Sequence, residues 1–471
     1  MKSPISSAQD LRGLKVTVMG LGLNGGGLAS ARFLAERGAL VTVTDMKDEA
    51  ALAAPLGALA GLPIRFVLGR HDLEDFRNAD LVLKNPAVRP DSPYLLASRA
   101  VETDLSLFLR LSRAKIIAVT GSKGKSSVSS ALYHGLKENG RRAFLGGNIT
   151  VSPLTFIDEA GEDATVVLEL SSWQLADMKG LGVLKPEVAV LTSMMPDHMN
   201  RYSSMEEYMA DKRLIYADQD GTCHTICNRD DAWNRSFAAE TRGRVSWYAD
   251  EREEGLPGAW LEGPGGRGLY SADGSPSGAE TILPEKLLVP GRHQRKNLLG
   301  AALALRVFGL PAEGVAKAMA SFPGVEHRLE LFAEAGGVSW YNDSAATIPQ
   351  AVEAALGSLD APVVLITGGT DKNLDFEPVR AAFRKPKAVI LLSGSGTEKL
   401  RPLLEADGVA YEGPYDGLEK AVAAAAARAG RGDAVLLSPG CTSFGMFLHE
   451  FDRGRKFKET VRALLESAGM A

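Results

Sequence analysis

AKIIAVTGSKGKSSVSSAL, residues 114–132, sets a continuous apolar run against a helix-like segment, with a glycine-bearing turn between them. The run ends at Thr120 and has the uninterrupted apolarity of a strand buried on both faces. Beyond Ser126, residues Val128, Ala131, Leu132, Gly135 and Leu136 fall on one face at the helical period. The order strand, turn, helix places Gly121, Ser122, Lys123, Gly124, Lys125, Ser126 and Ser127 at the positive end of a helix. Glycines there let backbone N–H groups converge on one point, and a lysine and hydroxyls complete the shell for a triphosphate with Mg²⁺. The spacing therefore predicts a phosphate loop. It matches the usual G-x-x-x-x-G-K-[ST] pattern in its latter half only, because position 119 is Val. A plain strand-to-helix turn would not need the paired lysine and serine.

Similar runs recur outward from this stretch: KVTVMG (15–20), ALVTVTD (39–45), DLVLKN (80–85), ATVVLEL (164–170) and EVAVLTS (187–193), with helical segments such as Ala29 to Arg37 between them. Strand and helix in alternation predict an α/β protein of doubly wound parallel sheets. The alternation breaks between Glu251 and Glu280, where Gly, Pro and Ser are dense and turns with short hairpins are expected. It resumes after Phe322 with VSWYND, PVVLITGG, AVILLSG and DAVLLSPG. Boundaries near 108 and 325 give three units: a Rossmann-like domain over 1–108, a central phosphate-loop domain over 109–325 and a second Rossmann-like domain over 326–471. In the first, Gly20-x-Gly22-x-x-Gly25 follows a strand and Asp45 closes the next one, the dinucleotide-fold fingerprint with its acidic residue. Alone, that pattern equally suits a dehydrogenase or a tight turn; beside an ATP-type loop, simple hydride transfer is the poorer reading.

Composition narrows the class. With 53 Lys+Arg against 58 Asp+Glu over 471 residues, the net charge is -5 and there is no long basic run to grip nucleic acid or an anionic membrane. The three cysteines, Cys223, Cys227 and Cys441, are too few for a disulfide framework or a zinc tetrad. The chain lacks an apolar window long enough to span a bilayer. A cytoplasmic protein is expected.

Polar groups stand where buried runs end: Glu169 in ELSSWQL, and Asp197-His198 with Arg201-Tyr202 after AVLTSMMP. Taken in order, TGSKGKSS, GGNI, ELSSWQL, PDHMNRY, GRHQRKN, EHRLE, NDSAAT and SPGCTSFGMF resemble the Mur ligases, from about Val16 to Gly454. The resemblance implies an ATP-dependent amide-forming enzyme of peptidoglycan precursor synthesis, acting on UDP-N-acetylmuramoyl-L-alanine and glutamate as a monomer. By resemblance, Lys125, His198, Lys212 and Asp343 serve catalysis, and Gln294, Asn297 and Arg328 join the phosphate loop around ATP. Ser126 and Glu169 are implied at one Mg²⁺ and His198 at a second metal, with Lys212, carbamylated, assisting metal binding. Leu23, Asn24, Asp45, Met46, Lys47 and Asn148 match positions that hold the UDP-substrate, and Thr347, Lys372, Ser443 and Phe444 match those lining the glutamate pocket; His327 accompanies Arg328 near ATP.

Two departures from the family pattern stand out. Asn85-Pro86-Ala87 replaces Ser-Pro-Gly, and Asn342-Asp343-Ser344-Ala345-Ala346-Thr347 carries Ala where the family string has Lys. The second removes a cation from the acyl-phosphate region, leaving Arg328 or Lys372 to compensate or the pocket to be arranged differently. D-glutamate is the expected amino acid, with L-glutamate the alternative.

Overall fold

The computed structural model describes residues 5–22, 26–149, 151–197, 201–263 and 265–469. It contains three sheets, one for each expected α/β unit. The first is built from β1 (Lys15–Met19), β2 (Leu40–Asp45), β3 (Ile64–Leu68), β4 (Leu81–Lys84) and β5 (Val101–Glu102), all parallel, in the order β3-β2-β1-β4-β5. The strand order reverses between β1 and β4. A crevice opens there at the carboxyl ends, which is where such sheets hold ligands.

The central sheet has nine strands: β6 (Lys115–Thr120), β7 (Ala143–Gly147), β8 (Thr165–Glu169), β9 (Val188–Leu191), β10 (His224–Asn228), β11 (Arg244–Ala249), β12 (Gly258–Leu261), β13 (Gly268–Ser271) and β14 (Glu280–Leu283). Their order is β14-β13-β12-β11-β10-β9-β6-β8-β7. Of β6, Ile116 to Thr120 are buried, as a strand covered on both faces must be. The Gly/Pro-rich stretch forms β12 to β14, whose two junctions are the antiparallel ones; short hairpins were expected here. β7, β10 and β11 were not anticipated, because AFLGG, HTICN and RVSWYA mix polar or small residues into runs too short to read as buried strands.

The third sheet comprises β15 (Glu330–Ala335), β16 (Val338–Asn342), β17 (Val363–Thr367), β18 (Ala388–Leu392), β19 (Tyr411–Tyr415) and β20 (Ala434–Leu437), ordered β15-β16-β20-β17-β18-β19. Only β15 runs antiparallel, against β16.

Compactness divides the chain into two units: Met1–Glu285 with Lys296–Met319, and Lys286–Arg295 with Ala320–Ala471. The first two sheets thus share one unit. A single apolar core runs through both, joining Leu34, Val43 and Leu105 of the first to Leu168, Tyr208 and Phe237 of the second. Phe108 meets Phe156 edge-on at 5.9 Å between ring centres, and Lys84 at the end of β4 is paired with Asp177 at 2.7 Å, both side chains almost wholly buried. That ion pair, invisible in sequence, ties the two sheets where the crevice opens.

Candidate active site

The phosphate loop leaves β6 at Thr120 and enters the helix Lys125–Glu138 through Gly124, whose φ of +90° favours glycine. A Cβ at Gly124 would also stand 2.5 Å from Asn297 Oδ1, so Asn297 on the helix Arg292–Val307 lies against the loop. Thr192, just past β9, closes the loop from the other side: its Oγ1 donates to the Lys123 carbonyl at 2.7 Å. The Ser122 hydroxyl donates to the Met195 carbonyl at 2.8 Å and accepts from the Met195 N–H at 3.0 Å. Ser122 therefore anchors the loop's shape. Exposed Lys123 is paired with Asp197 at 3.2 Å.

Two lysines converge on the carbonyl of Gly121. Lys125 Nζ donates to it at 2.9 Å and to the Ser122 carbonyl at 3.1 Å, while Lys212 Nζ donates to it at 2.8 Å. Lys212 ends the helix Met205–Lys212, is 1% exposed, and lies 4.5 Å from the Tyr208 ring centre. Burial, reinforced by the charge of Lys125, pushes its amine down to about 7. The neutral amine is thus a major form near neutrality, a state that sequence could not reveal.

Register brings a carboxylate to the same end of the sheet. Val119 of β6 pairs with Glu169 of β8, so Glu169 stands at the level where the loop begins. Its side chain is 1% exposed; Asn148 Nδ2 donates to Oε1 at 2.8 Å and Ser129 Oγ to Oε2 at 3.4 Å. It makes no ion pair among the described residues. Ser126 and Ser127 are half-buried in the first turn of the following helix. His198, expected at the metal, lies outside the described residues, as do Leu23 and Asn24 of the first fingerprint.

At the first crevice, Asp45 turns its carboxylate onto the glycine loop. Oδ2 accepts from the N–H groups of Leu21 (2.9 Å) and Gly22 (3.2 Å), and Oδ1 from that of Lys47 (2.9 Å). Its observed work is to shape the loop, and exposed Met46 and Lys47 follow directly. Gly20, Gly27, Lys84, Asn85, Asp104 and Asn148 line a cavity of about 200 Å³ here. The Asp104 carboxyl is held above its usual range by burial. Sequence reading overlooked Lys84 and Asp104, since a strand-end lysine and a helix-start aspartate are ordinary surface signals.

The remaining expected residues gather at the carboxyl ends of β16, β17 and β20, within the second unit. Asp343 is buried: Oδ1 accepts from the Leu329 N–H at 3.0 Å and Oδ2 from Ser438 Oγ at 2.7 Å. Desolvation pushes its carboxyl up to about 7. His327, at φ +65°, is buried with Nδ1 2.9 Å from Asn342 Nδ2. Arg328 and Lys372 are exposed, Thr347 is half-buried and Ser443 is buried. Phe444 exposes its ring, and its carbonyl accepts from Thr370 Oγ1. Gln294 groups with this unit, whereas Asn297 groups with the first.

Phosphate loop, strand-end carboxylate and buried lysine, on a chain of three α/β sheets, define a nucleotide-dependent ligase fold. Three family descriptions match in sequence: the Mur ligase MurD-like N-terminal domain over residues 14–105, the Mur ligase middle domain over 119–305 and the Mur ligase glutamate ligase domain over 327–441. The chain belongs to the Mur ligase family. Similar proteins include the UDP-N-acetylmuramoylalanine--D-glutamate ligases of Treponema pallidum, 43% identical over 97% of this chain and 99% of the relative, and of Roseiflexus sp., 40% identical over 96% and 99%. Among solved structures, the UDP-N-acetylmuramate-alanine ligase MurC of Thermotoga maritima superposes with a TM-score of 0.59 at 19% identity, covering 96% of this chain and all of that one. MurF ligase from the same organism, in complex with ADP, gives 0.57 at 18% identity, covering 98% of each chain.

Proposed function

We propose that this chain joins D-glutamate to UDP-N-acetylmuramoyl-L-alanine with ATP, in the cytoplasm, as a step of peptidoglycan precursor synthesis. The observation that carries the reading is the convergence of Lys125, Lys212 and Glu169 on one sheet end, in a chain similar over nearly its whole length to proteins that bear that activity in their names. A dehydrogenase would leave this arrangement idle. Among the described residues no helix is long and apolar enough to cross a membrane.

The chemistry is two successive substitutions through an acyl phosphate. A carboxylate oxygen of the UDP-substrate attacks the γ-phosphorus, the bond to the bridging oxygen breaks, and ADP leaves. The glutamate amine then attacks the acyl carbon, loses a proton, and phosphate departs with the C–O electron pair. Anion must approach anion, so electrostatics dominates. Lys125 and the loop N–H groups meet the transferring phosphoryl group. Lys212 adds charge at the same carbonyl when protonated; when neutral, its amine can attack CO₂ and release a proton to form a carbamate.

The residues fit a divalent cation: a buried Glu169 carboxylate, hydrogen-bonded by two neutral groups, lacks a cationic partner among the described residues. Glu169 and Ser126 would hold one Mg²⁺ and His198 a second metal, with carbamylated Lys212 assisting; such cations neutralise phosphate charge when bound. In the first domain, Asp45, Met46, Lys47 and Asn148, with Leu23 and Asn24, would take the UDP part. In the third, Thr347, Lys372, Ser443 and Phe444 would take glutamate, with Arg328 and Asp343 toward ATP.

Phosphate release is the test. Turnover is expected only when ATP, UDP-N-acetylmuramoyl-L-alanine and D-glutamate are all present; a preference for L-glutamate of about tenfold in kcat/KM, or about 1.4 kcal/mol, would reverse the stereochemistry. Dependence on NAD would overturn the reading.

A further inference from the structure

The helix Glu450–Ser467 is crowded with charge, and most of its cations are answered by carboxylates. Arg455 and Lys456 pair with Asp452, and Lys458 with Glu326 and Glu330. Arg453 differs. It is the largest fully buried side chain among the described residues, 1% exposed, and makes no ion pair there. Its guanidinium is satisfied by neutral oxygens alone: Nε meets Ser344 Oγ at 3.2 Å, Nη1 donates to the Cys441 carbonyl at 3.1 Å, and Nη2 donates to the carbonyls of Ser344 (2.9 Å) and Cys441 (3.2 Å).

Those acceptors belong to the two loops that follow β16 and β20, the loops carrying Thr347 and Ser443. Arg453 also lines a small cleft with Gly369, Thr370, Thr442 and Ser443. Gly369 lets the Thr442 carbonyl approach, since a Cβ there would lie 2.8 Å from it, and that contact holds the cleft wall beside the guanidinium. A buried cation whose hydrogen bonds all go to neutral acceptors is offset only in part, by the more distant charges of Glu450 and Asp343, in a region of low dielectric. The carbonyls that would otherwise repel an anion are turned onto the guanidinium. The string 342–347 itself offers no cation, position 345 being Ala.

We propose that Arg453 is the positioning residue of the amino-acid pocket, fixing the two loops and supplying positive potential for the carboxylate of the incoming amino acid. The proposal rests on the reading that this pocket takes glutamate. Arg453→Met should raise KM for D-glutamate by at least ~tenfold while KM for ATP changes less than ~twofold, and Arg453→Lys should recover part of the loss. A purely structural role would move both constants together. Should Arg453→Met fail to fold, Ser344→Ala, which removes one neutral acceptor and leaves the charge, is expected to raise KM for D-glutamate alone by ~two- to fivefold. An unchanged KM for glutamate in the folded variants, or equal rises for glutamate and ATP, overturns the proposal. Wild-type protein that releases no phosphate with glutamate overturns the functional reading and this inference together.

Discussion

The loop after β1 and the loop after β6 share one grammar, a buried strand, a glycine-bearing turn and a helix, yet the structure gives them opposite electrostatics. In the first, a fixed anion serves the backbone: the Asp45 carboxylate takes the N–H groups of Leu21, Gly22 and Lys47. In the second, lysine amines serve it: Lys125 and the buried Lys212 both donate to the Gly121 carbonyl. A loop whose N–H groups already face a carboxylate makes a shaped wall for a ligand's neutral or hydrogen-bonding parts. One whose carbonyl is capped by lysine amines, its N–H groups left open, leaves positive potential for a triphosphate. Glycine spacing alone therefore does not say which anion, if any, a loop receives.

The sharpest way to break this contrast is Lys125→Ala. Loss of turnover by about a thousandfold, roughly 4 kcal/mol of transition-state stabilisation, is expected with the melting temperature little changed. Near-normal kcat would remove the phosphate-loop assignment.

Lys212→Met should cost about a hundredfold in kcat. Because the amine is pushed down to about 7, its neutral form grows as pH rises through that value, so bicarbonate should stimulate wild type more at pH 8 than at pH 6. The sign for stability follows the same shift. The unfolded chain binds the proton up to the ordinary lysine range and the folded chain releases it near 7, so this group makes stability rise with pH between those values. An activity indifferent to bicarbonate at both pH values would count against the carbamate.

At the first loop the expected effect is smaller and falls on a different substrate. Asp45→Ala should raise KM for the UDP-substrate about tenfold and leave KM for ATP nearly unchanged, because it frees three N–H groups far from the phosphoryl transfer. Equal changes in both constants would erase the division between the loops.

The smallest effect concerns a third strand end. Asp343 is pushed up to about 7, so the folded protein binds its proton more tightly than the unfolded chain and stability falls as pH rises from about 4 to 7. Asp343→Asn should flatten the dependence of the melting temperature across that window. A slope identical to wild type would show that other groups set it.

Sequence alone settled the α/β class, the glycine-bearing turn between β6 and its helix, the resemblance to Mur ligases and the strands whose apolar runs are continuous, because burial on both faces and the helical period leave marks in local order. It left β3, β5, β7, β10, β11, β15 and β19 unread, since short or mixed runs become strands only when neighbours supply their ladder. Tertiary structure alone decided what the ionisable groups do. Lys84, Lys212 and Arg453 each look like surface cations in sequence, yet all three are buried, one paired with Asp177, one beside a second lysine and one among neutral carbonyls. The physical reason is that charge state and role depend on desolvation and on partners tens to hundreds of residues away, whereas periodicity and glycine spacing are local properties of the chain.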